Sequence, residues 1–168
     1  KKYNIEIEEE ASSEEFEENK NIRESLLAVN SFASKKFSEW LWEDDHGRSV
    51  GLSYFRERGF SDEIIQKFEL GFHHEARSRF HNEASRAGYK PEVIEETGLS
   101  IKKMDGSYMD RFFGRVMFPI HSLSGRAIGF GGRLLRSNVK AAKYLNSPES
   151  LIYQKSRVLY GLFQAKKS

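Results

Sequence analysis

Apolar residues recur every three or four positions from Asn21 onward, and Ile22, Leu26, Val29, Ala33, Phe37, Trp40 and Leu41 fall on one side of a helix. That pattern ends near the polar cluster Glu43-Asp44-Asp45-His46-Gly47. A second helix is predicted over Val50–Arg58, with Gly59 as the left-handed residue that stops it. Ser61 has the hydroxyl to cap a third, which carries Ile64, Ile65 and Phe68 and opens on Asp62 and Glu63, the charge sign that complements a helix N-terminus. Leu70-Gly71-Phe72 reads as a brief extended piece, and Glu75–Ala87 as a polar helix ending at Gly88. Pro91 opens a helix over Glu92–Thr97, which Gly98 closes. Beyond that point the period changes. Leu99–Lys103 and Ser107–Arg111 flank Asp105-Gly106, a hairpin signal, and Arg111–Ile120 and Arg126–Leu135 are β-patterned segments joined by Ser122-Leu123-Ser124-Gly125. The expected fold is α+β, with helices in the N-terminal half and antiparallel strands and hairpins in the C-terminal half.

Composition sharpens this outline. The 168 residues suffice for one domain with a core, and no apolar run approaches the roughly 18 residues of a membrane span. The absence of cysteine removes disulfides and thiolate-bound zinc, which fits a reducing cytoplasmic setting. The start at Lys1-Lys2-Tyr3, with no secretory leader, is compatible with a piece of a longer protein. Charge is segregated. Residues 1–20 carry three lysines against eight glutamates, a net −5, and read as an acidic linker or loosely docked arm preceding a domain over residues 21–168. Residues 21–100 are −3, whereas from Ile101 onward thirteen basic side chains face three acidic ones, a net +10. A basic C-terminal third suits a phosphate-binding face as well as a solvated lysine surface.

Four arginines interrupt the two β-patterned walls: Arg111, Arg115, Arg126 and Arg133. Arginine offers a fixed fork of donors that matches phosphate and keeps its charge. The run Gly129-Phe130-Gly131-Gly132-Arg133 lacks the spacing of a nucleotide-binding glycine loop, so its glycines signal a bulge or a close approach. Lys143-Tyr144-Leu145-Asn146-Ser147-Pro148-Glu149 groups a cation, a ring, an amide and a hydroxyl, the set that holds single-stranded nucleic acid or a nucleotide. Arg56 or Arg58 is expected to point outward at the corner between the second and third helices. His73, His74 and His81 lack a clear third metal ligand and read as surface histidines. Asp105, Asp110 and Glu149 are the only carboxylates in the basic third, too few and too dispersed for a phosphoryl-transfer metal site, so catalysis by this chain alone is not expected.

In order and spacing, Asp110-Arg111-Phe112, Arg115-Val116-Met117-Phe118-Pro119-Ile120, Gly129-Phe130-Gly131-Gly132-Arg133, Lys143 to Glu149 and Leu159-Tyr160-Gly161-Leu162 resemble the catalytic core of bacterial replicative DNA primases, the DnaG type. The similarity continues more weakly through Arg58-Gly59-Phe60 and Phe68 to Phe72. It implies the N-terminal subdomain of an RNA-polymerase core that makes short RNA primers during replication. The implied partners are single-stranded DNA template, ribonucleoside triphosphates and the RNA–DNA hybrid, with no membrane. The family's zinc-binding module, the Toprim subdomain whose carboxylates bind Mg²⁺ or Mn²⁺, and the domain that recruits the replicative helicase lie outside this segment, which itself is expected to bind no metal.

By the same resemblance, the binding residues fall on Arg58, Arg111, Arg115, Arg133, Lys143, Tyr144, Asn146, Ser147 and Lys155, converging on one cleft edge. Arg111 and Arg115 would clamp template phosphates; Arg58, Lys143 and Lys155 would neutralise those of nucleotides. Phe113 stands where relatives commonly have an arginine, and Gly114 is expected to bend the strand. A non-enzymatic single-stranded nucleic-acid-binding module and a docking domain for an acidic protein are the rival readings.

Overall fold

The computed structural model describes residues 2–136 and 140–155, with side chains from Glu9 onward. A single helix, α1, runs over Lys2–Glu43, 42 residues and about 63 Å at 1.5 Å per residue. Its C-terminal half buries Leu26, Val29, Ala33, Phe37, Trp40 and Leu41 of the expected stripe, none more than 3% exposed, whereas Ile22, a turn before the packed part, stays exposed. The acidic stretch, expected as a linker or loosely docked arm, is helical and forms the first half of α1, with every residue from Glu9 to Ser25 open to solvent. Glutamate is a good helix former, and the packed half supplies the costly first turns from which the rest propagates.

A π-helical turn over Gly47–Leu52 leads into α2, Ser53–Glu57, in place of one continuous helix. Gly59, at φ +86°, reverses the chain, and the Ser61 hydroxyl accepts from the Ile64 N–H to cap α3, Asp62–Lys67. Strand β1 covers Gly71–His73. Next come α4, Arg79–Arg86, which begins four residues later than the pattern suggested, and α5, Pro91–Glu96. A separate hairpin pairs β2, Ser100–Lys102, with β3, Tyr108–Asp110, around Gly106 at φ +88°. The main sheet contains β4, Arg115–His121, β5, Ala127–Leu134, and β6, Tyr144–Asn146, in the antiparallel order β1-β4-β5-β6. The fold is α+β, as expected.

Arg111 is not in a strand. Residues 111–114 form a turn, and Gly114 at φ +72° ends it before β4 begins. Alternation along β4 then sends Met117 into one core with Phe37, Phe80, Ile94, Phe112 and Phe130. Val116 faces the other way, into a core with Leu52, Phe55, Ile65 and Phe72. The sheet is covered on both sides, by α1 with α4 and α5 across one face and by α2 and α3 across the other.

The histidines depart from the surface positions expected of them. His73 is 1% exposed, and its ring nitrogens face His74 O at 2.6 Å and Asp110 Oδ2 at 2.9 Å. His81 is buried as well, with Nδ1 2.8 Å from Ser100 Oγ and its ring stacked on Tyr108 at 4.3 Å. Asp110, fully buried, accepts from the N–H groups of Phe80 and His81 at 2.8 and 2.9 Å, so a residue of β3 caps the N-terminus of α4 from outside the helix.

Removing that carboxylate orphans two helix N–H groups and the His73 ring. Asp110→Ala is expected to lower the free energy of unfolding by about 3 to 5 kcal/mol, measured by urea denaturation. Burial holds the His81 imidazole below its ordinary pKa of 6.5, and burial with the His46 and Arg79 charges does the same for His74. Both contributions to stability are complete above pH 6.5 and are lost as pH falls from there toward the lower folded-state values, because the unfolded chain then binds more protons. His81→Gln should accordingly show a smaller fall in urea midpoint between pH 7.5 and 5.5 than the unsubstituted protein.

Candidate nucleic-acid interface

Strand β6 is an edge strand, and the predicted residues gather around it. It pairs Tyr144 with Arg133, Leu145 with Gly132 and Asn146 with Gly131. The pairing runs on at both ends, where Lys143 O accepts from Leu134 N at 2.9 Å and Ser147 N donates to Phe130 O at 2.8 Å. Glycines on β5 leave room for the side chains of the preceding turn and of β6 to lie against the strand. A Cβ at Gly132 would come within 2.7 Å of the Phe112 ring, and one at Gly131 within 3.1 Å of Asn146 Oδ1. These contacts make close approach, not a bulge, the reason for the glycine run; the register shift of this hairpin lies instead at Ile120/His121.

On one face of the sheet, cations and rings alternate. The Arg58 guanidinium lies 3.7 Å from the centroid of the Tyr54 ring, four residues earlier on the same turn of chain. Arg133 stands 5.2 Å from that ring on one side and 5.9 Å from Tyr144 on the other, and Lys143 Nζ is 5.9 Å from Tyr144. Tyr144 is 67% exposed although it is a large ring. Beside it, Phe118, Gly131 and Asn146 enclose a shallow depression of about 190 Å³. Arg133 donates from Nη1 to Leu134 O at 2.5 Å, while its buried Nε has no hydrogen-bond partner among the described residues.

Arg111 and Arg115 belong to the opposite face. In the β4–β5 register Arg115 pairs with Leu134 and Val116 with Arg133, so Arg115 and Arg133 point to opposite sides. The expected single cleft edge is thus divided into two groups that meet at β6. Arg111 donates from Nε and Nη2 to Asn146 O at 3.0 and 2.7 Å. Arg115, 5% exposed, reaches Gly132 O and Lys143 O through Nη1, both at 3.4 Å. Burial lowers the pKa of both guanidinium groups, and Arg111 adds like-charge repulsion at Arg115.

The remaining predicted residues separate into structural and exposed ones. Ser147 is buried, and its hydroxyl accepts from Phe130 N at 2.9 Å, so it fastens β6 to β5. Lys155 is exposed; its backbone N–H donates to Glu149 Oε1, and among the described residues its ammonium pairs with none of the other predicted groups. Arg56 forks onto Asp62 with two 3.0 Å hydrogen bonds and is neutralised there. Arg126 pairs with Glu24 of α1. Tyr54 went unrecognised from sequence, although its position four residues before Arg58 is the spacing that brings helix side chains together. The motif Leu159-Tyr160-Gly161-Leu162 lies outside the described residues.

No group of three or more His, Cys, Asp or Glu side chains able to hold a metal ion occurs among the described residues. The carboxylates of the basic third are otherwise engaged. Asp110 caps α4, Asp105 is held below the ordinary carboxylate range by the hydroxyl and N–H of Ser107, and Glu149 accepts from Lys155 N. No described helix is long and apolar enough to cross a membrane.

Residues 36–166 match the family model for the N-terminal domain of the DNA primase catalytic core. The DNA primase of Legionella pneumophila is 39% identical over 144 residues, which cover 86% of this chain and 23% of that protein. Among solved structures, the RNA polymerase domain of Mycobacterium tuberculosis primase DnaG superposes with a TM-score of 0.80 at 35% identity, over 86% of this chain and 46% of that one. A DnaG primase catalytic domain bound to ssDNA gives 0.77 at 35% identity, over 88% and 46%. The zinc-binding and RNA polymerase domains of Aquifex aeolicus primase give 0.77 at 29%, over 87% and 34%. This chain belongs to the DNA primase catalytic core N-terminal domain family, of the bacterial DnaG type. It spans about a quarter of the length of the curated relatives it matches.

The β6 segment is also held from behind, where a Cβ at Gly98 would lie 2.2 Å from Pro148 Cδ. Gly98 and Gly106 have similar positive φ, 81° and 88°, but nothing lies within 4 Å of a Cβ at Gly106. Gly106→Ala should therefore cost only the left-handed strain of about 1 to 2 kcal/mol. Gly98→Ala should cost more and loosen β6, read as faster amide exchange at Leu145 and Ser147.

Proposed function

We propose that this chain is the template- and nucleotide-gripping part of a DNA primase, a DNA-directed RNA polymerase that lays short RNA primers on single-stranded DNA during replication. One observation carries the reading: an exposed tyrosine, Tyr144, flanked by Arg133 and Lys143 beside a glycine-floored depression. A ring exposed between two cations offers a base its π-face and offers the neighbouring phosphates their counter-charge. Asn146 adds a donor and an acceptor at the same edge, fit for a sugar or base edge. Arg58 extends the positive row through Tyr54 toward the phosphates of an incoming nucleotide. A relative of the same fold is a DnaG primase catalytic domain bound to ssDNA, and another carries a double-stranded DNA with a 6-nucleotide overhang, which supports DNA as the ligand here.

In this reading the described residues bind and orient, and their carboxylates do not fit a divalent-ion site. Mg²⁺ or Mn²⁺, through a Toprim subdomain, and Zn²⁺, in a further module, would be held by other parts of the intact enzyme. Ribonucleoside triphosphates, the RNA–DNA hybrid and the replicative helicase complete its partners, in the cytoplasm of a bacterial cell. Arg111 and Arg115 act by bracing the β6 segment through the carbonyls of Asn146 and Lys143, so they set the height of Tyr144 and Asn146 as well as adding charge. The engagement of Asp105, Asp110 and Glu149 equally suits a binding module without catalysis. A full-length protein that binds single-stranded DNA yet makes no primer from ribonucleotides would decide for that module.

Fluorescence anisotropy with a dT12 oligonucleotide across a salt series tests the grip. Tyr144→Ala is expected to weaken binding about tenfold with little change in salt slope. Lys143→Ala should make the slope shallower by about 0.7. Affinity and slope unchanged in both variants would overturn the assignment.

A further inference from the structure

Where the exposed half of α1 passes α5, the two helices enclose a groove of about 590 Å³. Ile22, Leu26 and Val93 give it an apolar strip, and Ile22 remains 38% exposed there. Five carboxylates border that strip, Glu14, Glu17 and Glu18 from α1 with Glu92 and Glu96 from α5. No lysine or arginine lines the groove. Among the described residues the glutamates that form ion pairs are Glu24, Glu39, Glu69, Glu75 and Glu83, and none of the five in the groove is among them. Glu14 and Glu18 lie one helical turn apart, as do Glu92 and Glu96, a spacing at which like charges repel and weaken a helix. The described residues thus hold both walls negative, supply no counter-charge between them, and leave an apolar strip in the middle.

We infer that the α1–α5 groove is a docking site for a basic amphipathic helix of a partner protein, its apolar side chains on the Ile22–Val93 strip and its lysines or arginines beside the five glutamates. The walls decide the form of the occupant. Both are helices, whose backbone groups are bonded internally, so an extended peptide would bury N–H and C=O groups with nothing to pair them. A helical occupant satisfies its own backbone and presents apolar side chains at i, i+3, i+4 and i+7 to the strip. The charge decides its sign. A single cation does not suffice, because no group of three or more His, Cys, Asp or Glu side chains among the described residues is placed to hold a metal ion. Nucleic acid is repelled by the same carboxylates, so this groove and the β6 edge take different partners. The α1 wall from Ser13 to Leu26 is about 20 Å long, which matches about four turns of a partner helix. None of this depends on the proposed function.

The test uses the full chain and a fluorescent peptide of about 14 residues, built of leucine and lysine with the leucines at i, i+3, i+4 and i+7. Ile22→Ser is expected to weaken binding about threefold to tenfold at low and high salt alike, because it removes apolar contact. Glu14→Gln combined with Glu18→Gln and Glu92→Gln should weaken it about tenfold at low salt and much less at high salt, because screening already removes that part. Glutamine keeps the helix propensity of glutamate, and Ile22 lies outside the buried core, so both variants should retain the circular dichroism of the unsubstituted chain. A peptide of the same composition with its leucines scrambled should bind at least about tenfold more weakly. Equal binding of the scrambled peptide would show general charge attraction and overturn the site, as would full affinity in both variants. Sedimentation velocity of the chain alone addresses the other occupant: a dimer that Ile22→Ser disperses would assign the groove to a second copy and overturn the partner helix. Failure of the unsubstituted chain to bind the amphipathic peptide would overturn this site and leave the proposed function standing, whereas failure to bind dT12 would do the reverse.

Discussion

A single buried carboxylate organises this molecule. Asp110 ends β3, caps α4 through two backbone N–H groups and accepts from His73 of β1, and its own N–H donates to Arg77 O at 2.6 Å. Two stretches of chain about 30 residues apart, residues 73–81 and β3, are therefore fixed relative to one another by one side chain and its backbone. Such a group is costly to bury unless it is hydrogen-bonded, and here both carboxylate oxygens are engaged, Oδ2 twice and Oδ1 once. The arrangement also fixes the next residue along. Arg111 leaves the cap pointed at β6, and the turn through Phe113 and Gly114 brings Arg115 in behind it. Charge placement at the edge strand follows from a capping interaction in the interior.

Much of this was legible in the residue pattern. The apolar stripe on α1, the caps and stops at Ser61, Gly59, Gly88 and Gly98, and the Asp105-Gly106 hairpin all follow from local chemistry that a sequence states directly. The acidic stretch did not, because low hydrophobicity and glutamate content describe a disordered arm and an exposed helical extension equally well. What separates them is continuity with a packed segment. The histidines failed for a related reason: burial of His73 depends on Asp110, 37 residues away, and no local window contains that pairing.

The row of cations and rings beside β6 was legible in its members and not in its sides. Arg58, Arg133, Lys143, Tyr144 and Asn146 could be chosen by chemistry and by family likeness. Their division from Arg111 and Arg115 depends on strand register, where a shift of one position exchanges the faces. Ser147 illustrates the limit of reading by residue type, because a hydroxyl suited to a ligand is used to hold β6 against Phe130. Tyr54 is the converse case, a residue that becomes meaningful only once Arg133 is known to lie across from it.

The extended acidic half of α1 has a consequence beyond stability. With a formal charge of only +2, the chain as a whole exerts little net pull on a polyanion, yet its glutamates and its arginines occupy different regions. At distances within a Debye length of about 8 Å at physiological ionic strength, a nucleic acid meets a dipole rather than a point charge. The first effect of the encounter is a torque that turns the molecule and disfavours approach along the glutamate-bearing rod, so electrostatics here selects orientation more than it accelerates capture.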